Sequence, residues 1–262
     1  MKIFDCVIYF DEDLMLDLRL NILNQYVEKF IIVEAGYDHQ GNLKKKNFNI
    51  QNFKKFEHKI DYFFIESFPG GYGAWQRENY QRNYISKGIS NLIDDDFIIV
   101  SDIDEIPNLE KINNFINNKY SVFEQRMFYY KLNFLNETQP FWYGSKICRK
   151  KHLRSPQWLR NLKPKQYPIW RIDKAKVKII SNGGWHFSFI KKPKEIIKKI
   201  ESYAHAEFNQ NKFKDEKIIY KKINNGEDIF NRNFKYAKIK IDNRFPDYIQ
   251  KNQHKFSEWI ME

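Results

Sequence analysis

A short apolar segment that ends in a cluster of acids is the feature that most constrains the fold of this chain. Residues 97–107 read FIIVSDIDEIP, so an apolar strand stops at Asp102, Asp104 and Glu105. Two carboxylates two positions apart on extended backbone point to the same side, and they repel each other unless a cation or a proton lies between them. Ligands of open α/β sheets bind at the carboxyl ends of strands. The segment therefore predicts a binding site at a sheet edge.

Three further apolar segments come earlier in the chain, and helical patterns separate them. β-branched and aromatic residues predict strands at Ile3–Tyr9, Phe30–Ala35 and Ile60–Ile65. Helix spacing follows the first strand, in Leu16, Leu20, Leu23 and Val27. Strands that alternate with helices usually pair in parallel through right-handed crossovers. The pattern predicts an open, mostly parallel α/β sheet flanked by helices.

The second half of the chain is less regular. The sequence predicts longer strands over residues 120–135 and 177–190, the second interrupted at Asn182–Gly184. It predicts helices over residues 108–118 and 194–208. It contains no repeat and no linker rich in Pro, Gly or Ser, so we predict a single domain over residues 1–262.

Several classes of protein are excluded by simple features of the chain. No apolar run approaches the ~20 residues of a transmembrane helix, and the N-terminus lacks a signal-peptide cleavage site. Two cysteines, Cys6 and Cys148, are too few for a disulfide framework. The sequence has neither GxGxxG nor GxxxxGK[ST], which argues against a dinucleotide enzyme or a P-loop NTPase. We expect a soluble, cytoplasmic protein.

The acidic turn suits a hard divalent cation. Mg²⁺ and Mn²⁺ commonly combine one or two carboxylates with substrate phosphates. A cation held in this way can neutralise the charge on a departing diphosphate. We therefore predict that Asp102 and Asp104 hold Mn²⁺ or Mg²⁺. The alternative is that these acids only cap a helix after Pro107.

Two other segments carry residues suited to phosphate or metal. In Trp75–Asn83, Glu78 and Arg82 are four positions apart on a predicted helix, and an arginine held by a glutamate can clamp a phosphate. In Asn182–Ser188, His186 follows two glycines, and an imidazole can complete a Mn²⁺ shell. The simpler interpretations are a salt-bridged helix face and a hydrogen-bonded core histidine.

Basic residues are concentrated in residues 146–200, which hold 17 Lys and Arg against two acids. Such a surface attracts the phosphates of a nucleotide, a lipid-linked substrate or a membrane headgroup. We therefore expect peripheral contact with a membrane or a lipid-linked acceptor here. The alternative is a basic face that only contacts solvent. A non-catalytic nucleic-acid-binding protein would stack bases on Trp158, Tyr167 and Trp170. That alternative leaves the acidic turn unexplained, and we expect no nucleic-acid partner.

Seven segments, in their order along the chain, resemble glycosyltransferase family 17. They are YFDEDLMLDLRLNIL (9–23), FIIVEA (30–35), QRENYQRN (76–83), DDFIIVSDIDEIP (95–107), GGWHFSF (183–189), SYAHAEFN (202–209) and GEDIF (226–230). The resemblance spans about residues 3–235, and the DDFIIVSDIDEIP block is its most specific part. The animal members carry a membrane anchor and a luminal stem that these residues lack, so we do not expect a Golgi enzyme or a protein N-glycan acceptor.

The resemblance implies a GT-A-like fold, with a donor-binding half over about 1–107 and an acceptor-side half over about 108–262. It also implies Mn²⁺ (or Mg²⁺), a UDP-linked donor such as UDP-GlcNAc, a glycan acceptor and inversion at the anomeric carbon. The Asp102 and Asp104 pair matches the metal-binding DxD motif, with His186 as a further ligand. Donor-site residues implied by the resemblance are Glu34, Arg77, Arg82, Ser101, Asp102 and Ile103.

Inversion by single displacement needs a base near the acceptor hydroxyl. The candidates are Glu105, Glu207 and Asp228, and their spacing does not choose among them, although the later half of the chain favours the last two. A nucleotidyltransferase is the enzymatic alternative, because it would use the same pair of aspartates but release pyrophosphate.

Overall fold

The computed structural model describes residues 1–165 and 175–262. Tyr167 and Trp170, which the nucleic-acid alternative invoked, lie outside the described residues.

The first half of the chain forms a parallel sheet. Its strands are β1 (Ile3–Tyr9), β2 (Lys29–Ala35), β3 (Ile60–Ile65) and β4 (Phe97–Ser101). They lie in the order β3-β2-β1-β4, and every neighbouring pair is parallel. The main helices between them are α1 (Asp13–Leu23) and α2 (Ala74–Asn83). This half has the predicted architecture, with crossovers long enough for parallel pairing.

The second half adds strands that pair in both directions. They are β5 (Glu105–Pro107), β6 (Tyr120–Tyr129), β7 (Phe134–Asn136), β8 (Phe141–Arg149), β9 (Lys178–Ile180), β10 (Gly184–Ser188) and β11 (Tyr236–Lys238). β8 pairs antiparallel with both β4 and β6. Among the strand pairs that the described residues form, five are parallel and five antiparallel. The expected mostly parallel sheet is not confirmed, because β6 returns to β8 through a connection too short for a crossover helix.

Two predicted long strands are interrupted where single residues leave the extended conformation. The strand predicted over 120–135 divides at Tyr130, which has φ 63°, into β6 and β7. The strand predicted over 177–190 divides at Asn182, which has φ 50°, into β9 and β10. Non-glycine residues rarely adopt positive φ, and these two mark tight turns. The helix predicted over 108–118 is a 3₁₀ segment at Leu109–Asn114.

The remaining helices are α3 (Pro156–Arg160), α4 (Pro193–Ser202), α5 (Glu216–Asn224) and α6 (Asp247–Lys251). No helix among residues 1–165 and 175–262 is long and apolar enough to cross a bilayer.

Apolar side chains cover both faces of the parallel sheet. Along β2, Phe30 and Ile32 belong to one buried cluster, while Ile31 and Val33 belong to another on the opposite face. This division follows the two-residue repeat of a strand. With both faces buried, the carboxyl edge of the sheet is left to form a site.

Candidate active site

A cleft of about 1060 Å³ lies along the carboxyl ends of the parallel strands. Its lining includes Tyr9 at the end of β1, Asp38 after β2, and Asp102 and Asp104 after β4. His186 of β10 lines it as well. The volume is in the range of small-molecule sites. The sheet edge predicted from the sequence therefore borders a cavity.

Asp102 is held by two arginines. Its Oδ1 accepts from Arg82 Nη2 at 3.0 Å, and its Oδ2 accepts from Arg160 Nη2 at 2.6 Å. Burial would raise the pKa of Asp102, but the charges of Arg160 and Arg82 outweigh burial and hold that pKa well below its usual range. The positive charge that relieves the expected repulsion between the carboxylates thus comes from two guanidinium groups of the protein.

Asp104 faces a lysine and a histidine. Lys199 Nζ lies 3.4 Å from Oδ2, and His186 Nε2 lies 3.6 Å from Oδ1. Burial opposes ionisation, yet these two groups lower the pKa of Asp104 to about 2. In return Asp104 outweighs the effect of burial and raises the pKa of His186. The structure therefore brings Asp104 and His186 together as an ion pair.

A complete metal centre is not preformed in the part of the chain that the structure describes. There, no three His, Cys, Asp or Glu side chains converge as a metal-binding group. The buried Nδ1 atom of His186 also has no hydrogen-bond partner among the described residues. The predicted ligands Asp102, Asp104 and His186 all line the cleft. Because they do not form a complete metal-binding group by themselves, the metal remains a prediction.

Glu105 lies beneath the cleft and does not line it. Its Oε1 accepts from Trp142 Nε1 at 2.6 Å and from Arg160 Nη2 at 2.7 Å, and its Oε2 accepts from the Asp102 amide at 3.2 Å. A carboxylate held by three donors orients its neighbours. The structure gives Glu105 this role and not the predicted position beside an acceptor hydroxyl.

The other two predicted bases also lie outside the cleft. Asp228 is buried and accepts from both Arg232 and Tyr236, at 2.7 and 2.9 Å. This cluster fastens β11 and the segment before it to the second half of the sheet. Glu207 is exposed and accepts from Nδ1 of His205 at 2.6 Å. Of the pair, His205 lines the cleft.

Of the remaining predicted donor residues, only Arg82 and Ile103 line the cleft together with Asp102. Glu34 is fully buried and accepts from the Asn47 and Phe48 amides at 2.7 and 3.0 Å, which fixes the loop after β2. Arg77 donates to the His39 carbonyl at 3.0 Å, and Ser101 Oγ donates to Ser145 Oγ at 2.7 Å. The polar groups of Glu34 and Ser101 are thus bonded within the protein, and the donor-site role of these three residues stays a prediction.

Several cations of the site are not among the residues predicted from the sequence. Lys146, Arg160, Lys163 and Lys199 line the cleft, and all four belong to the basic segment 146–200. Their clustering in that segment was the available signal, but its position in the fold was not visible. This part of the basic segment faces the cleft and is suited to bind phosphate.

Arg19 supports the acidic turn from behind. It is fully buried, and its Nε and Nη2 both donate to Asp5 at 2.6 Å. Its Nη1 donates to the carbonyls of Asp102, Ile103 and Glu105 at 3.3, 3.4 and 2.7 Å. One guanidinium thus holds three main-chain carbonyls of the turn, an arrangement that spacing along the sequence does not reveal.

Lys146 gives a testable pH dependence. Burial and the charge of Arg160 lower its pKa to about 7, against the opposing effect of Glu105 and Asp102. In the unfolded chain the pKa of this lysine is about 10.4. Between pH values of about 7 and 10.4 the unfolded state therefore binds more protons than the folded state, so the free energy of unfolding rises with pH. We expect Lys146→Met to be about 2 kcal/mol more stable than the wild type near pH 6 and to lose that advantage as the pH approaches 10.

Urea unfolding at several pH values measures this effect. Lys178→Met, which removes an exposed lysine from β9, is the matched control and should follow the wild type at every pH. A difference between Lys146→Met and the wild type that stays constant with pH would contradict the prediction.

Comparison with known proteins gives one family match and one structural neighbour to report. The sequence profile described as Glycosyltransferase family 17 matches residues 1–240. No curated protein matches the chain. Among solved structures, a glycosyltransferase involved in the glycosylation of the major capsid of PBCV-1 is 13% identical over 69% of this chain and 82% of that chain, with a TM-score of 0.33.

Proposed function

The chain belongs to glycosyltransferase family 17, and on that premise we propose that it transfers a sugar, N-acetylglucosamine from UDP-GlcNAc, to a hydroxyl group of a glycan with inversion. The observation that supports this proposal is the acidic turn at Asp102 and Asp104, which opens into a cleft lined by Arg82, Arg160 and Lys199. A cavity that combines paired carboxylates with a cluster of cations is suited to a ligand that carries both phosphate and polar groups.

The cations are suited to hold the diphosphate of a donor. Arg82 and Arg160 are almost completely buried, so their charges act in a medium of low dielectric constant. Both are already fixed by Asp102, and Arg82 is also held by Glu78 at 2.6 Å. Fixed donors that need no reorganisation stabilise the negative charge that develops on a leaving group.

A divalent cation, when bound, would add positive charge at the departing diphosphate. The residues that would hold it are Asp102, Asp104 and His186, whose oxygen and imidazole ligands suit Mn²⁺. Their place on the cleft wall and the unpartnered Nδ1 atom of His186 are compatible with a ligand there.

Donor binding and hydrolysis test the proposal. UDP with Mn²⁺ should raise the melting temperature by several kelvin, and EDTA should reduce the shift, because a ligand that binds only the folded state stabilises it. A screen of UDP- and GDP-sugars should show slow hydrolysis of UDP-GlcNAc above the other donors. Absence of both a nucleotide-dependent shift and hydrolysis with every donor would refute the function. Pyrophosphate release from a nucleoside triphosphate would instead identify a nucleotidyltransferase.

A further inference from the structure

The carboxylates that line the cleft are already engaged by donors. Both oxygens of Asp38 accept from Asn42, and Glu12 accepts from the amides of Phe10 and Asp11. Glu78 accepts from Arg82, while the two aspartates of the acidic turn face cations. Each of these carboxylates already accepts a hydrogen bond from the protein or pairs with one of its cations. Proton acceptance is therefore better suited to another group in the cleft.

Three histidines line the cleft, and their partners differ. His39 Nε2 lies 2.9 Å from the neutral amide oxygen of Gln81. His186 is buried with its Nε2 toward Asp104. His205 is half-exposed, and its Nδ1 bonds to Glu207 Oε1 at 2.6 Å. No described residue bonds to His205 Nε2, so that nitrogen is open to a substrate.

The ring of His205 is held in place by aromatic neighbours. Trp75 packs edge-on against it, with ring centroids 4.7 Å apart and an interplanar angle of 86°. Tyr203 and Phe208 lie at 5.5 and 6.2 Å. Among these contacts Glu207 is the charged group that faces the imidazole, and Trp75 of α2 is uncharged. A base oriented through its second nitrogen by a carboxylate is the arrangement used in general-base catalysis.

We propose that His205 is the general base of the transfer reaction and that Glu207 orients it; this inference rests on the proposed function. The acceptor hydroxyl oxygen forms a bond to C1 of the donor sugar as the bond from C1 to the diphosphate oxygen breaks. The electron pair of that bond leaves with the nucleoside diphosphate. The hydroxyl proton passes to Nε2 of His205, and the resulting imidazolium is stabilised by Glu207. Because the ring is half-exposed, water then removes the proton.

The test uses UDP-GlcNAc with water or azide as the nucleophile. His205→Ala should lower hydrolysis about 100-fold, because water must lose a proton as it attacks. Azide carries no proton to remove, so it should restore release of UDP from this variant and form the glycosyl azide. The UDP-dependent rise in melting temperature should be unchanged. His254→Ala, which removes an exposed histidine elsewhere, is the matched control.

Glu207→Gln separates orientation of the imidazole from a merely structural role. Loss of the carboxylate frees the imidazole to turn and to change tautomer, so hydrolysis should fall about tenfold, while the same replacement in the His205→Ala background should change the rate less than about twofold. No loss of rate in Glu207→Gln, or an equal loss in the His205→Ala background, would overturn the role of Glu207. The assignment of His205 as the general base would be overturned if His205→Ala hydrolysed the donor at the rate of the control. It would also be overturned if azide did not restore the lost rate of UDP release. Absence of both UDP binding and hydrolysis in the wild type would refute the proposed function itself, and the base with it.

Discussion

Asp102→Asn is expected to lower UDP-GlcNAc hydrolysis about 10³-fold and to weaken the fold at the same time. The amide keeps the shape of the side chain but removes the charge that orients Arg82 and Arg160 and that would bind a metal. If Asp102 and Asp104 interacted only with each other, removal of one charge would relieve their repulsion and stabilise the fold. Because Asp102 also forms ion pairs with Arg82 and Arg160, its loss is expected to destabilise the fold instead.

The stability effect has a defined pH dependence. The folded-state pKa of Asp102 is lowered, so its contribution is fully present above the unfolded pKa of about 3.9 and is lost as the pH falls below it. The side chain is 37% exposed, which limits the contribution to about 1 kcal/mol at neutral pH. Urea unfolding at pH 7 should reveal the loss in Asp102→Asn, and the difference should shrink in acid.

Asp95→Asn is the matched control for this prediction. Asp95 also pairs with two cations, Lys151 and Arg149, at 2.7 and 3.2 Å, but it is exposed outside the cleft. Its replacement should leave hydrolysis unchanged. Equal activity in the two variants would remove Asp102 from the chemistry, and a raised melting temperature in Asp102→Asn would show that carboxylate repulsion dominates after all.

The parts of the fold that the sequence predicted depend on local patterns. β1 and β3 have the predicted bounds, because both are short runs rich in β-branched and aromatic residues, which favour strands. The acidic turn after β4 could also be recognised from the sequence, because charged residues at the end of an apolar strand are a local signal. The sheet edge and its acids could therefore be placed before the structure was known.

The parts that were missed depend on contacts between distant residues. Asp104 meets Lys199, which lies 95 positions away, and Asp102 meets Arg160, which lies 58 positions away. Arg160 lies in α3, which follows the antiparallel strand β8 beside β4. The pairing of β8 with β4 leaves no periodic pattern in the sequence. Asp228 was a plausible base by order along the chain, but the pairing of β11 with β7 directs it into a buried cluster.

Arg19→Met is expected to destabilise the protein by about 3–5 kcal/mol, because it leaves Asp5 buried without its partner. That result alone would not separate stability from activity. The double variant Asp5→Leu with Arg19→Met removes both charges, and apolar replacement of a buried ion pair is often neutral or stabilising. We expect the double variant to regain most of the stability that the single variant loses.

The double variant still lacks the donor that holds the carbonyls of Asp102, Ile103 and Glu105. Because a displacement of about 1 Å can reduce catalysis about 100-fold, we expect it to fold but to hydrolyse UDP-GlcNAc at about 1% of the wild-type rate. Lys29→Met with Asp61→Leu removes a half-exposed ion pair between β2 and β3, and should change unfolding by less than about 1 kcal/mol and hydrolysis not at all. Wild-type hydrolysis by a stable Asp5–Arg19 double variant would mean that the turn keeps its conformation without the guanidinium. Loss of hydrolysis with stability retained would establish that Arg19 positions the aspartates for the reaction.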